Sequence, residues 1–260
     1  NTLKNIKNEL LQKRIMYMTK SKILITFGCS FADINLSQYK TNNIRAWPIL
    51  VSDKLNMDLL SLGKGRASNS YIENCVFDAV LKYKNHDPII MVLWTNPRRS
   101  NIGDCVTKFT NLKDLDFHEN FKFSNEKCSG GSSYDFDAKD ACYRYIRASL
   151  RNIWRTRYIA RHHNLEYYDN LAGCWTAPYP HFFDKHNSSY LDNISRIQAK
   201  IQNDWYFKNL NFKLKNIERG FEVSGIPDDE HPDQNGHEEI AQMFIKKYMK
   251  KFYVEDYVYD

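Results

Sequence analysis

The segment KILITFGCS, residues 22–30, carries the features that decide the fold. Lys22 to Phe27 is a mainly apolar run that ends in Gly28-Cys29-Ser30, a pattern typical of a buried strand entering a tight turn. A serine in that position would lie at the carboxyl edge of a parallel sheet, where ligands usually bind. The segment therefore predicts a first strand and a candidate nucleophile, Ser30.

Outward from this strand, helical and strand patterns alternate. The predicted elements are a helix at 47–55, a strand at 58–62, a helix from Ser68 or Asn69 to about Tyr83, a strand at 88–94, a helix at about 141–163, a strand at 165–169, a helical piece at about 190–203 and a helix at 235–251. Asn235 and Glu238 have the spacing of a capping box for the last helix. Such alternation predicts a three-layer α/β/α sandwich with a mainly parallel sheet of about five strands.

Composition excludes several classes of protein. The 260 residues include 42% hydrophobic and 26% charged residues with a net charge of +6, which describes a globular protein and neither a disordered nor a coiled-coil chain. The apolar run at 89–94 is far shorter than the roughly 20 residues of a membrane span, and no secretory signal pattern is present. We therefore expect a cytoplasmic protein. Six scattered cysteines without a Cys-x-x-Cys pair predict free thiols.

The chain is expected to form one domain. Residues 1–17 form a basic segment without motif residues and are predicted to be peripheral, whereas 18–260 form a single domain. Two stretches, at about 97–140 and 170–227, lose periodicity and are read as insertions. No nucleotide-binding glycine motif follows a strand, and His181, Asp184 and His186 do not fit a zinc pattern. No cofactor or metal is predicted.

Three further segments carry residues that could act with Ser30. Asp228 and His231 stand three residues apart before the last helix, a spacing that suits a general base and the carboxylate that orients it. Gly65, with Gly63 not excluded, follows the second strand, and Asn96 follows the third; both could donate hydrogen bonds to an oxyanion. Taken singly, each of these residues is better explained as a turn or capping residue.

Together, the four segments resemble the SGNH (GDSL-type) hydrolase family, which is named for Ser, Gly, Asn and His in four sequence blocks. Gly28-Cys-Ser-Phe31 matches the nucleophile block with Cys29 in place of the customary Asp, and its wording resembles the variant found in bacteriophage and some bacterial proteins. Trp94-Thr-Asn-Pro97 departs from the common Gly-x-Asn-Asp, while Asp228-x-x-His231 matches the last block. The resemblance covers residues 22–100 and 225–245.

The resemblance implies a flavodoxin-like sheet and a serine esterase. Ser30, His231 and Asp228 would be catalytic, and the Ser30 N–H, Gly65 and Asn96 would form the oxyanion hole. The polar, aromatic insertions favour a short acyl group, acetyl, carried on a carbohydrate, over a long acyl chain; the aromatic residues considered are Phe121, Tyr134, Trp175, Tyr179, Phe182 and Trp205. The same aromatics could simply pack the insertions onto the sheet.

Two other functions remain open. The principal alternative is a non-catalytic carbohydrate-binding or phage virion-structural protein on the same fold, which could associate with a virion or with copies of itself. Arginines on the predicted 141–163 helix could instead bind nucleic acid or an anionic polysaccharide, although a solvated helix face is the favoured explanation and nucleic acid is not the expected partner. No membrane partner is expected.

Overall fold

The computed structural model describes residues 22–97, 141–172, 198–210, 225 and 231–255. For residues 141, 142 and 252–255 it describes the backbone only. The predicted peripheral segment 1–17, most of both predicted insertions and Asp228 lie outside the described residues.

The helices and strands alternate along the chain, as predicted. They are β1 (Ile23–Gly28), α1 (Ser37–Thr41), α2 (Trp47–Leu55), β2 (Asp58–Ser61), α3 (Asn69–Tyr83), β3 (Ile89–Trp94), α4 (Ala141–His162), β4 (Glu166–Leu171), α5 (Trp205–Leu210) and α6 (Gln234–Glu255). Short 3-10 helices cover Ser30–Ala32 and Lys84–His86, and residues 198–203 are also helical. None of these helices is long and apolar enough to cross a membrane.

The four described strands form one parallel sheet in the order β2-β1-β3-β4. Ile25 on β1 is paired with Leu60 on β2 and with Ile90 on β3, so β1 lies in the interior of the sheet. This order is the beginning of the flavodoxin-like order 2-1-3-4-5. About five strands were predicted, and four lie within the described residues.

Helices cover both faces of the sheet, and β3 shows the division most clearly. Its side chains alternate, so that Ile90, Val92 and Trp94 pack with α3 and α4, while Ile89, Met91 and Leu93 pack with α2 and α6. All six are fully buried, which explains why this strand reads as a continuous apolar run. The predicted three-layer α/β/α architecture is confirmed.

Two details at helix ends refine the predictions. Ser68 caps α3, because its Oγ accepts a hydrogen bond from the Tyr71 N–H at 3.2 Å. The predicted capping box at Asn235 and Glu238 is wrong. α6 begins one residue earlier, and Asp233 caps it by accepting the Gly236 N–H at 2.8 Å.

Candidate active site

Ser30 lies where the sequence predicted it, at the carboxyl end of β1 and two residues after Gly28, the last residue of that strand. It begins the 3-10 helix Ser30–Ala32, and its carbonyl accepts a hydrogen bond from the Tyr39 hydroxyl at 3.1 Å. Ser30 is only 4% exposed, and its Oγ lies 4.0 Å from the Cys29 Sγ. Cys29 is itself buried in the core, so it serves as a packed thiol beside the serine.

Two glycines allow neighbouring backbone segments to pack closely against the turn that carries Ser30. A Cβ at Gly63 would lie 2.2 Å from the Ala32 carbonyl oxygen, and one at Gly28 would lie 3.0 Å from the Leu93 carbonyl oxygen. Because the opposing atoms belong to the backbone, neither position leaves room for a side chain. The loop after β2 and the end of β3 therefore pack directly against the turn that carries Ser30.

Gly65, the predicted oxyanion donor, already has an acceptor. Its N–H donates to Asp33 Oδ2 at 3.0 Å, while Asp33 Oδ1 accepts the Asn35 N–H at 3.0 Å. A Cβ at Gly65 would meet nothing closer than 3.7 Å, so packing requires glycine at position 63 but not at position 65. For the Gly65 N–H to reach a substrate oxygen, the Asp33 carboxylate must first leave it.

Asn96 lies just after β3 and is half-buried. The backbone of the preceding residue, Thr95, is fixed by hydrogen bonds with the Asn69 side chain. The Asn69 side chain accepts the Thr95 N–H and donates to the Thr95 carbonyl, both at 2.9 Å, and also donates to Ser149 Oγ at 2.9 Å. Asn69 is 2% exposed and stands at the start of α3. It therefore joins α3, α4 and the end of β3 next to the candidate oxyanion donor.

His231 lies beside the serine turn. Its ring makes edge-to-face contacts with Phe31, centroids 6.0 Å apart, and with Tyr39, centroids 6.2 Å apart. Phe31 follows Ser30 in the chain, and Tyr39 is hydrogen-bonded to the Ser30 carbonyl. Pro232, the residue after His231, forms an antiparallel bridge with Gly225.

A second histidine, His237, anchors the helix that follows. Its Nδ1 accepts the Trp47 N–H at 3.2 Å, and its ring packs edge-to-face on Tyr39 with centroids 4.5 Å apart. His237 is fully buried, and Nε2 has no hydrogen-bond partner among the described residues. Burial lowers the pKa of His237 from 6.5 to about 4, and the charge of His231 acts in the same direction while Asp233 opposes it.

The described structure thus brings Ser30, the Gly65 loop, Asn96 and His231 to the carboxyl edge of the sheet and its adjoining loops. Asp228, the predicted orienting carboxylate, lies outside the described residues. Sequence reasoning missed Asp33, Tyr39 and Asn69. Asn69 is the first residue of α3, directly after the helix cap Ser68. No local signal in the sequence shows that its side chain bonds to the end of β3 and not to its own turn.

A second polar cluster, not predicted, surrounds Asp169 on β4. The carboxylate accepts hydrogen bonds from Arg157 Nη2 at 2.6 Å and Nε at 3.0 Å, from the Tyr167 hydroxyl at 3.1 Å and from Trp94 Nε1 at 3.2 Å. Burial alone would raise the pKa of Asp169, but the Arg157 guanidinium holds it below its usual range. Arg157 also donates to the Leu210 carbonyl at 2.8 Å, so the cluster joins α4, β4 and α5.

The side chains at this edge define which chemistry it could carry out. Within the described ranges, no three His, Cys, Asp or Glu side chains are grouped as metal ligands would be. His181, Asp184 and His186 lie outside those ranges. A hydroxyl, an imidazole and amide donors at one sheet edge are the parts that nucleophilic catalysis needs.

Comparison with known proteins gives limited similarity. Neither a protein-family model nor a curated protein matches the sequence. A structure assigned to the G-D-S-L family of lipolytic proteins, from Desulfitobacterium hafniense DCB-2, is 9% identical with a TM-score of 0.38, over 85% of this chain and 96% of that one. LAE5, an alpha/beta hydrolase enzyme from the metagenome of Lake Arreo, Spain, is 12% identical with a TM-score of 0.34, over 89% and 96% of the two chains. At these identities and TM-scores, neither similarity bears on function.

Proposed function

We propose that the chain is a serine esterase of the SGNH type. The observation that supports this most directly is the contact of His231 with Phe31, the residue after Ser30, and with Tyr39, whose hydroxyl donates to the Ser30 carbonyl. An imidazole close to a serine at the carboxyl edge of a parallel sheet suits a base that activates a nucleophile.

In the proposed reaction, Ser30 Oγ attacks the acyl carbonyl while His231 takes the hydroxyl proton. The alcohol leaves with that proton, and water, deprotonated by the same imidazole, then releases the acid and restores Ser30. Asp228 is assigned the role of orienting His231. The Ser30 N–H, the Gly65 N–H and the Asn96 amide are assigned to the oxyanion, which in the case of Gly65 requires displacement of Asp33.

A fluorophosphonate probe tests the proposal, because it labels only an activated serine. We expect the probe to label the full chain and the chain to hydrolyse nitrophenyl acetate. In Ser30→Ala and in His231→Ala, the rates of labelling and of hydrolysis should each fall by about a thousandfold or more. Ser37→Ala and His86→Ala are matched controls, since both residues are exposed and His86 precedes β3 at the opposite end of the sheet. Labelling that persists in Ser30→Ala would refute the assignment of the nucleophile.

For the substrate we propose a short acyl group, acetyl, on a carbohydrate hydroxyl. Of the aromatic residues on which this expectation rests, only Trp205 lies within the described residues, where it is 54% exposed. Activity should fall sharply beyond butyrate esters and should extend to acetylated sugars. A preference for octanoate or longer esters would contradict the carbohydrate assignment without affecting the serine mechanism.

A non-catalytic binding protein on the same fold is the second candidate, and two observations favour it. Ser30 is nearly inaccessible, and the Asp33 carboxylate occupies the N–H of Gly65. A negative charge held at an oxyanion donor opposes the charge that develops in the transition state. If folded protein is neither labelled nor active on any acetyl ester, and Asp33→Asn does not restore activity, this second function is preferred.

A further inference from the structure

Helix α4 carries an unusual combination of residues. Its 22 residues include six arginines and neither Asp nor Glu. A solvated surface helix more commonly mixes charges of both signs, which stabilise it as neighbouring pairs. The countercharges for this helix must therefore come from neighbouring elements or from a negatively charged ligand.

The arginines divide into two groups by their contacts. Arg157 binds Asp169, Arg147 lies 3.0 Å from Asp204, and Arg155 lies 3.1 Å from Glu73, so these three are paired with buried carboxylates. The other three form no ion pair within the part of the chain that the structure describes; they are Arg144, Arg151 and Arg161. The charge of Arg151 nevertheless acts with that of Arg155 to oppose the rise that burial causes in the pKa of Glu73. All three are exposed.

Aromatic rings lie along the same side of the helix. Trp154 and Tyr158 stack with their planes 18° apart and centroids 5.6 Å apart, and Tyr158 and His162 stack at 14° and 6.3 Å. At 3.6 residues per turn, Arg151, Trp154, Tyr158 and Arg161 share one face. Tyr158 is 59% exposed, so much of its ring is accessible to a ligand.

Helix α5 adds a further exposed ring in a fixed position. Trp205 packs edge-on against Trp154 with centroids 5.3 Å apart and is 54% exposed. Asp204 holds the start of α5, because it accepts the Tyr206 N–H at 2.8 Å and the Tyr143 hydroxyl at 2.7 Å. The ring of Trp205 is therefore held beside the row on α4 without any ligand.

We propose that this aromatic–arginine face, consisting of Arg151, Trp154, Tyr158, Arg161, His162 and Trp205, binds single-stranded nucleic acid. Unpaired bases stack on exposed rings regardless of sequence, and arginines neutralise the phosphates between them. A neutral sugar chain would also stack on the rings. Binding of a neutral ligand would not explain why the helix carries exposed arginines and neither Asp nor Glu. A duplex would engage the charges yet leave the rings unused, because its bases are already stacked.

Fluorescence anisotropy with a labelled oligothymidine of about 16 nucleotides tests the proposal on the full chain. Binding should weaken steeply between about 50 and 200 mM salt and should be tighter than for a duplex of the same length. Tyr158→Ala and Trp205→Ala should each weaken binding by about tenfold. In the double variant Arg151→Gln/Arg161→Gln, the slope of log affinity against log salt should fall by about 0.7 per arginine.

Matched controls separate the face from general charge and from the esterase site. Tyr145→Ala removes an exposed tyrosine (46%) from the opposite side of α4 relative to Trp154, and Lys54→Gln removes an exposed cation from α2, across the sheet. Neither should change affinity beyond twofold, and Ser30→Ala should bind as the unmodified chain does. Circular dichroism melts verify that the variants are folded.

Three results would overturn the proposal. The first is no binding of the oligonucleotide at about 50 mM salt. The second is equal binding of single strand and duplex with no effect of Tyr158→Ala or Trp205→Ala, which would indicate charge alone. The third is tighter binding of heparin than of oligothymidine with the same dependence on the two rings, which would assign the face to an anionic polysaccharide.

Discussion

Asp169 on β4 and His237 on α6 are both buried polar groups, but they differ in how fully their hydrogen-bonding capacity is used. Asp169 accepts bonds from Arg157, Tyr167 and Trp94. His237 accepts one bond, from Trp47, and its Nε2 has no hydrogen-bond partner in the described ranges. Burial disfavours the charged form of both groups. Only Asp169 has an opposite charge close enough to reverse the effect, so its pKa falls while it stays charged, whereas His237 stays neutral.

The difference separates a structural region from a candidate functional one. In the cluster around Asp169, the Asp169 carboxylate and the Arg157 guanidinium are hydrogen-bonded to each other and to groups that join α4, β4 and α5. Near Ser30, by contrast, the Ser30 hydroxyl makes a long hydrogen bond to the Cys29 Sγ at 4.0 Å, and the buried His237 has an Nε2 without a hydrogen-bond partner in the described ranges. Unused polar groups of this kind are uncommon in well-packed interiors and are frequent at functional sites.

The largest effect is expected from breaking the Asp169 cluster. Arg157→Met should lower the free energy of unfolding by about 3–5 kcal/mol, because it leaves a buried carboxylate without its countercharge. Urea denaturation at neutral pH measures the loss, and activity per folded molecule should be unchanged. Arg144→Met is the matched control on an exposed position of the same helix. A loss no larger than in that control would show that the cluster is not a structural ion pair.

At the carboxyl edge of the sheet, near Ser30, Asn96→Ala should lower the turnover number and leave the stability of the fold unchanged. Its amide is assigned to the charge that develops only in the transition state, so kcat should fall by about a hundredfold, near 3 kcal/mol, with the melting temperature almost unchanged. The measurement pairs ester kinetics with a thermal melt. A variant that is destabilised yet equally active per folded molecule would make Asn96 a turn residue.

The contrast between the pKa of Asp169 and the pKa of His237 can be tested by replacing His237. Between pH 6.5 and about 4 the unfolded chain binds a proton at this residue that the folded chain excludes, so stability falls as the pH falls through that window and is unaffected above it. His237→Gln keeps an acceptor for the Trp47 N–H and should remove roughly 1–3 kcal/mol of that pH-dependent loss. Urea denaturation at pH values across the window measures the difference, with His86→Gln as the exposed control. Identical pH profiles for wild type and His237→Gln would show that burial does not keep His237 neutral.

The smallest effect is expected at Asp33. Asp33→Asn removes a negative charge beside the Gly65 N–H while keeping an oxygen that can accept from it, so kcat on nitrophenyl acetate should rise about fivefold, near 1 kcal/mol. Lower activity in this variant would mean that Asp33 positions the Gly65 loop for catalysis. Asp53→Asn, on an exposed residue of α2, controls for loss of a carboxylate elsewhere.

Much of the fold could be predicted from local pattern. The bounds of α2 and β3 agree with prediction to within a residue, because a buried parallel strand is a continuous apolar run and a two-sided sheet requires alternating elements. The cap of α6 was misassigned because Asp233 and Asn235 are both good capping residues. Their local sequence does not distinguish which one the helix will use.

The sequence by itself determined the candidate chemistry and its chain positions: a serine after β1, an asparagine after β3 and a histidine before α6. Only the tertiary structure decided which partners these groups meet. Asp33 reaches the Gly65 N–H across 32 residues, Asn69 reaches Thr95 across 26, and Trp47 reaches His237 across 190. Such bonds depend on the distance between strand ends after the sheet has formed, and that distance is a property of strand order and packing, which no local pattern encodes.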